Sequence, residues 1–380
     1  MTPIAQPPLS LYIHIPWCVR KCPYCDFNSH AVREEIPEEA YVAALLADLE
    51  QELSGIEARP LQSIFIGGGT PSLFSAAMIK HLLAEVESRI SFTPDIEITM
   101  EANPGTFEQE KFRGYRDAGV NRLSLGIQSF ADEQLNALGR IHSGDEAVKA
   151  AGLARELFDN MNLDLMHGLP GQSTAQALAD LRIAADLKPD HISWYQLTIE
   201  PNTEFHSRPP SLPVDETLWD IQEQGQQFLA EAGYRQYEIS AYAQPGKRAR
   251  HNLNYWQFGD YIGIGAGAHG KITGADGTIL RRWKQKQPKA YMNPEKRLGA
   301  CEAIEVDALP FEFMLNALRL TDGVENRLFA DRTGLNLDVI QPQLERAQKM
   351  GLLETDPKKL APTQQGRLFL NNLLEMFLEE

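Results

Sequence analysis

The chain has 380 residues and an apolar fraction of 43%, which is enough for one large domain and a small one. Its net charge of −16 argues against a general nucleic-acid binder, because such proteins present a basic face. No stretch approaches the roughly 18 apolar residues of a membrane span, and the first eleven residues carry no charged leader region. We therefore expect a cytoplasmic protein that is not an integral membrane protein.

Short apolar runs alternate with amphipathic segments from residue 9 to about residue 200. The runs predict strands at Leu11–Ile15, Ile64–Ile66, Glu97–Met100, Arg122–Leu125, Leu163–Met166 and Ile192–Leu197. Apolar residues at three- and four-residue spacing predict helices at Pro37–Leu53, Thr174–Leu187 and Asp215–Ala232. Strands that alternate with helices form βαβ units around a parallel sheet, and six units predict a partial (β/α) barrel.

The chain changes character at about residue 300, where the sequence becomes mainly helical up to a last segment at Gln364–Leu378. We expect a small C-terminal domain here, for which a winged-helix arrangement is one candidate. The predicted division is a barrel over residues 1–240, a segment packed on the barrel over residues 241–295, and a helical domain over residues 296–380.

Three of the four cysteines follow the first predicted strand. Cys18, Cys22 and Cys25 have the spacing C-x3-C-x2-C, and clustered cysteines in a reducing compartment indicate a metal site instead of disulfides. Three thiolates can hold three irons of a [4Fe–4S] cubane. The fourth iron then stays open for the amino and carboxylate groups of S-adenosylmethionine (SAM).

A zinc site is the alternative, with His14 as a fourth ligand. Structural zinc prefers four closed ligands, commonly in two C-x2-C pairs, and this spacing is unequal, so we favour the cluster. Alternation along the first strand makes His14 equally a residue that faces the barrel interior. Cys301 lies far away in what reads as a helix, and we expect it to be a buried structural thiol.

Glycine and polar residues follow the next strands directly, at the end where barrels carry their function. These motifs include Gly67–Ser72, then Glu101 to Pro104, then Gly126 to Phe130, and then Arg140. Each motif alone has a structural explanation, such as a tight turn for the glycines. Together they place donors, acceptors and charges around one mouth, which favours a ligand pocket.

These motifs resemble the radical SAM superfamily, and within it the family of oxygen-independent coproporphyrinogen III oxidase, from about Leu11 to Gly270. The resemblance rests on the cysteine spacing with Tyr24 before the last cysteine, on GGGTPS, on EANP and on GIQSF. It implies SAM contacts from residues around the barrel mouth. These are Tyr12, Tyr24, Gly69, Thr70, Pro71, Glu101, Gln128, Arg140 and Asp164.

Three features separate this chain from the oxidase itself. The oxidase carries a further cysteine where this chain has Phe27, and it has a longer N-terminal extension. Residues 251–256 read HNLNYW, which is similar to the HNxxYW motif of the HemW-type haem chaperones. Imidazole is a natural axial ligand of haem iron, so this resemblance implies His251 as ligand, with Tyr255 and Trp256 against the porphyrin. Local packing of these three side chains is the alternative.

Two functions from different classes remain. The favoured one is a haem chaperone that binds haem and delivers it to acceptor proteins, using a [4Fe–4S] cluster and SAM. The alternative is an enzyme that decarboxylates coproporphyrinogen, so the sequence leaves open whether the protein is an enzyme. The resemblance adds candidate partners: membrane respiratory enzymes as acceptors, reached by peripheral membrane contact, and a second copy of the chain in a homodimer.

Overall fold

A computed structural model describes residue 4, residues 6–106 and residues 109–378, with only the backbone of Thr106. The strands are β1 (Leu9–Ile15), β2 (Trp17–Cys18), β3 (His30–Ala31), β4 (Leu61–Gly68), β5 (Phe92–Ala102), β6 (Arg122–Gln128), β7 (Met161–His167), β8 (His191–Gln196), β9 (Arg235–Glu238), β10 (Ala241–Ala243), β11 (Asp260–Ile264), β12 (His269–Thr273), β13 (Ile279–Lys284), β14 (Leu298–Ala303), β15 (Val324–Glu325) and β16 (Lys359–Leu360).

The helices are α1 (Glu38–Leu53), α2 (Ala76–Arg89), α3 (Gln109–Asp117), α4 (Asp132–Ala137), α5 (Gly144–Leu157), α6 (Thr174–Asp186), α7 (Glu204–Ser207), α8 (Asp215–Glu231), α9 (Arg250–Trp256), α10 (Pro288–Tyr291), α11 (Leu309–Ala317), α12 (Arg327–Thr333), α13 (Gln341–Lys349), α14 (Gln364–Leu368) and α15 (Leu370–Glu375). Side chains of Ser143 and Ser173 begin α5 and α6 with capping boxes that use Glu146 and Gln176.

One 12-stranded sheet organises the described part of the chain, in the order β14-β13-β12-β11-β1-β4-β5-β6-β7-β8-β10-β9. The six predicted strands β1, β4, β5, β6, β7 and β8 are neighbours and run parallel, each separated from the next by helix. This confirms the predicted α/β architecture. The sheet has two different edge strands, β14 and β9, so it remains open.

The sequence prediction missed the flank of the sheet beyond β1. Strand β11 adds a further parallel strand to β1, and β12, β13 and β14 continue antiparallel. Cys301 lies in edge strand β14 and is exposed, so the expectation of a buried thiol in a helix was wrong. The segment from Leu298 to Ala303 has a helix-compatible composition, and pairing with β13 decides its conformation.

The C-terminal residues form their own apolar core. Helices α11 to α15 and the β15–β16 pair surround Phe313, Phe329 and Leu373, and this core includes Tyr237 and Phe258 from the barrel side. The last segment of the predicted helical region, Gln364–Leu378, contains two short helices, α14 and α15, because Phe369 between them leaves helical geometry at φ −112° and ψ 41°. The three-part division stays a prediction, and the large sheet itself continues to Ala303.

Among the described residues, no helix combines the length and apolarity that crossing a bilayer requires.

Candidate functional site

The parallel strands surround a cavity of about 550 Å³ at their carboxyl ends. Strand alternation explains its polar lining. On β6, for example, Leu123 and Leu125 are fully buried in the apolar core, while Arg122, Ser124 and Gly126 line the cavity. The mouth carries the cysteine loop, which connects β1 to α1.

The three predicted cluster cysteines meet at this mouth. Cys18, Cys22 and Cys25 all line the cavity and are partly exposed. Arg140 Nη1 donates to the Cys22 sulfur over 3.6 Å, and the Cys25 sulfur lies 3.7 Å from Ser29 Oγ. Burial raises the pKa of the Cys18 and Cys25 thiols, and the Ser29 hydroxyl opposes the rise at Cys25 by stabilising the thiolate, the form in which Fe–S clusters bind cysteine.

His14 is not free to complete a zinc site. His14 uses both ring nitrogens, since Nδ1 pairs with Tyr12 Oη over 2.9 Å and Nε2 pairs with the Asn28 carbonyl over 2.8 Å. In the described chain, no three His, Cys, Asp or Glu side chains are arranged around one point that a single metal ion could occupy. A cubane binds each thiolate to a different iron, which is the set of donors that three cysteines supply.

Close backbone approach explains the glycine turn after β4. Gly68 has φ +112°, and a Cβ there would lie 2.4 Å from the His14 ring. Its amide donates to Glu101 Oε2 over 3.1 Å. Burial, followed by the charge of Asp164, raises the pKa of the Glu101 carboxyl to about 8. Glu101 is therefore largely protonated at neutral pH before a cationic ligand arrives.

A chain of polar contacts joins four of the predicted motifs. Asn103 Nδ2 donates to Thr70 Oγ1 over 3.0 Å, and Arg140 Nη2 donates to Asn103 Oδ1 and to the Gly126 carbonyl, both over 2.6 Å. Gln128 has φ +70°, unusual for a residue with a side chain, and its Oε1 accepts from Tyr195 over 2.8 Å. Such strain at a strand end is a common property of ligand sites.

Helix α9 carries the HNxxYW motif and shows two different faces to the barrel. His251 and Tyr255, four residues apart, pack edge to face with ring centroids 4.5 Å apart, and His251 stacks on Phe65 at 4.8 Å. Asn252 and Trp256, also four residues apart, line the cavity. The motif helix and the cysteine loop therefore border one cavity.

His251 itself is only 3% exposed and does not line the cavity. Burial, with a smaller contribution from the charge of Arg122, lowers the imidazole pKa to about 3. Its Nδ1 has no hydrogen-bond partner among the described residues. The ring is thus a neutral imidazole, the form in which histidine binds a metal.

The structure gathers most, but not all, of the predicted site residues. The predicted residues that line the cavity are Cys18, Cys22, Cys25, Tyr24, Gly69, Thr70, Pro71, Glu101, Gln128, Arg140, Asp164 and Trp256. Tyr12, His251 and Tyr255 lie in an adjoining aromatic cluster. The sequence prediction missed Arg122, Ser124 and Asn162. These polar residues alternate with apolar residues along β6 and β7, and that alternation is the signal that identifies them.

Comparison with known proteins agrees with this geometry. Residues 12–183 match the Radical SAM superfamily and residues 304–369 match the HemN C-terminal domain. The chain is 56% identical to heme chaperone HemW of Escherichia coli (strain K12), over 99% of this chain and 100% of that one. It is 54% identical to heme chaperone HemW of Haemophilus influenzae, over 98% and 99%.

A solved structure with a similar fold is coproporphyrinogen III oxidase (HemN) from Escherichia coli, described as a radical SAM enzyme. It has a TM-score of 0.82 and 25% identity, and the match covers 98% of this chain and 90% of that one. Since full-length identity is far higher to the HemW proteins, the chain belongs to the radical SAM superfamily and, within it, to the HemW family of heme chaperones.

Proposed function

We propose that this protein binds haem and delivers it to haem-dependent acceptor proteins, with a [4Fe–4S] cluster on Cys18, Cys22 and Cys25 and SAM in the cavity. The observation that carries the proposal is the position of helix α9, whose HNxxYW residues border the same cavity as the cysteine loop. Relatives that match over the full length are named heme chaperone HemW, which supports the same function.

Residues of the barrel mouth have assigned roles in this proposal. Arg140 supports the Cys22 thiolate, and Glu101 and Asp164 accept hydrogen bonds from SAM, whose cationic groups suit a carboxylate-lined wall. Thr70 and Asn103 hold the glycine turn in place. When bound, the cluster supplies one-electron reduction of SAM.

His251 is the proposed ligand of haem iron. The buried imidazole is neutral and has an unpaired nitrogen, so it needs no deprotonation before it binds a metal. It must leave its stacking contact with Phe65 to reach a haem in the cavity. Trp256, which already lines the cavity, provides an apolar wall for the macrocycle.

The iron sites are tested by metal analysis. Anaerobically reconstituted protein is expected to hold about four irons and four sulfides per chain. Alanine at Cys18, Cys22 and Cys25 removes them, whereas Cys301→Ala, in the exposed edge strand, keeps them. About one zinc per chain without labile sulfide would contradict the cluster.

Haem binding is tested by titrating the same protein with ferric haem and following the Soret band. His251→Ala is expected to weaken binding at least tenfold with unchanged iron–sulfur content, while His81→Ala, on the exposed face of α2, has no effect. Coproporphyrinogen is added in a parallel assay. Its rapid consumption, with haem binding indifferent to His251, would favour the oxidase alternative that the HemN likeness keeps open.

The proposed partners are haem and haem-acceptor proteins. Membrane respiratory enzymes as acceptors, peripheral membrane contact, a cytoplasmic location and a homodimer stay predictions from the sequence.

A further inference from the structure

A buried arginine lies at the wall of the cavity below the cluster loop. Arg122 begins β6, is 3% exposed, and lines the cavity together with Ser124, Asn162, Ser193 and Asn252. It is separate from the residues assigned to the cluster and to SAM. No sequence motif includes it, and only the polar–apolar alternation of β6 points to it.

The Arg122 guanidinium has no partner among the residues that the structure describes. Among the described residues, none accepts a hydrogen bond from this side chain, none forms an ion pair with it, and its Nε is buried without a partner. Asp164 is the carboxylate that it influences electrostatically. The oxygens of Asp164 already accept from Ser124 Oγ and Asn162 Nδ2, each over 2.8 Å.

The other neighbours do not neutralise the charge either. Arg122 contributes to the lowered pKa of His191 and of His251, so both rings stay neutral beside it. Tyr237, whose pKa burial raises, also stays uncharged. An unpaired buried cation is costly, and its donors remain available to whatever enters the cavity.

We infer that Arg122 binds a carboxylate of the cavity ligand, namely one propionate of haem. The planar guanidinium fork matches a carboxylate in geometry and charge. Asn252 and Trp256 of the motif helix line the same cavity, so an anchored propionate places the macrocycle against α9. This inference rests on the proposed function. The methionine carboxylate of SAM is the competing source of the same chemistry.

The test uses the full-length, cluster-loaded protein and two probes, ferric haem and its dimethyl ester, in which both propionates are neutral. The wild type is expected to prefer haem at least tenfold. Arg122→Gln loses that preference by binding haem more weakly, and Arg122→Lys, which keeps the charge, retains part of it. Arg182→Gln, which removes an exposed arginine of α6 outside the cavity lining, leaves the preference unchanged and is the matched control.

Two results would overturn the inference. One is a wild type that binds haem and its dimethyl ester equally, a result that needs no variant to fold. The other is an Arg122→Gln protein, with normal iron content and melting temperature, that keeps the preference or that loses affinity for SAM instead of haem. A wild type that binds neither porphyrin contradicts the proposed function itself, so the two failures can be told apart.

Discussion

Glu101 shows how a single buried group can couple ligand binding to protons. Its carboxyl pKa of about 8 results mainly from burial and then from the negative charge of Asp164. Under the proposed function SAM, which is cationic, lies beside this carboxyl, and a cation there lowers its pKa. Binding at pH 7 therefore releases up to about one proton, whereas above pH 9 the carboxyl is already ionised and no proton is released.

We expect the SAM binding enthalpy at pH 7 to differ between phosphate and Tris buffers, because the buffer takes up the released proton. Isothermal titration calorimetry measures this difference. Glu101→Gln should abolish it, while Glu97→Gln, a buried carboxylate outside the cavity lining, should preserve it. An unchanged buffer dependence in Glu101→Gln would assign the proton to another group.

His167 is a buried histidine whose ring centroid lies 4.1 Å from that of Trp194. Burial lowers its pKa to about 4, so only the unfolded state takes up a proton between about pH 6.5 and 4. Stability is then lost as pH falls through this window. Relative to His167→Gln, the wild type should lose about 1.4 kcal/mol of unfolding free energy between pH 7.5 and 5.5, measured by urea unfolding. Parallel pH profiles would show that the ring is not held neutral.

At the scale of elements, the sequence predicted what local patterns encode. The core strands, such as β1 and β7, and the amphipathic helix α1 were predicted within a few residues. The position of β11 beside β1 was not predicted, because a contact between residues about 250 positions apart leaves no periodic pattern in the local sequence. The cysteine spacing likewise predicted the cluster loop. That Arg122 lacks an ionic partner could not be predicted, because it depends on which side chains the folded strands bring next to it.

Helix α8 packs on β8 through a glycine. A Cβ at Gly225 would lie 1.9 Å from the Trp194 ring, whereas a Cβ at Gly152 in helix α5 meets nothing within 4 Å. Gly225→Ala should therefore destabilise the protein by about 1–3 kcal/mol or more through overpacking. Gly152→Ala should stabilise it by up to about 1 kcal/mol through helix propensity. Thermal melting of both variants checks the contrast, and equal melting temperatures would contradict the close packing.

At the scale of the whole molecule, a buried ionic cluster joins the antiparallel flank to the barrel. Lys284 at the end of β13 donates to Asp48 and Glu52 of α1, each over 2.6 Å, and Tyr291 donates to Asp48 over 2.8 Å. Burial raises the Asp48 pKa, and Lys284 opposes that rise. Lys284 thus offsets the negative charge of two buried carboxylates.

Lys284→Met should leave buried Asp48 without a cationic partner, whereas Glu52 keeps its ion pair with Arg282, and should destabilise the protein by about 3–5 kcal/mol. Lys289→Met, an exposed lysine in α10, is the matched control and should change stability by less than about 0.5 kcal/mol. Chemical unfolding measures both. A small effect at Lys284 would mean that the flank is held by its strand pairing alone.

Backbone pairing and side-chain hydrogen bonds hold the cysteine loop. Strand β2 pairs with β3, and Asn28 donates to the carbonyls of Ala266 and Lys286, both over 2.8 Å. The thiols of Cys18, Cys22 and Cys25 remain partly exposed at the mouth. The loop that presents the three thiols is therefore tied to the turns that follow β11 and β13, so the geometry of the proposed iron ligands depends on segments that supply none of them.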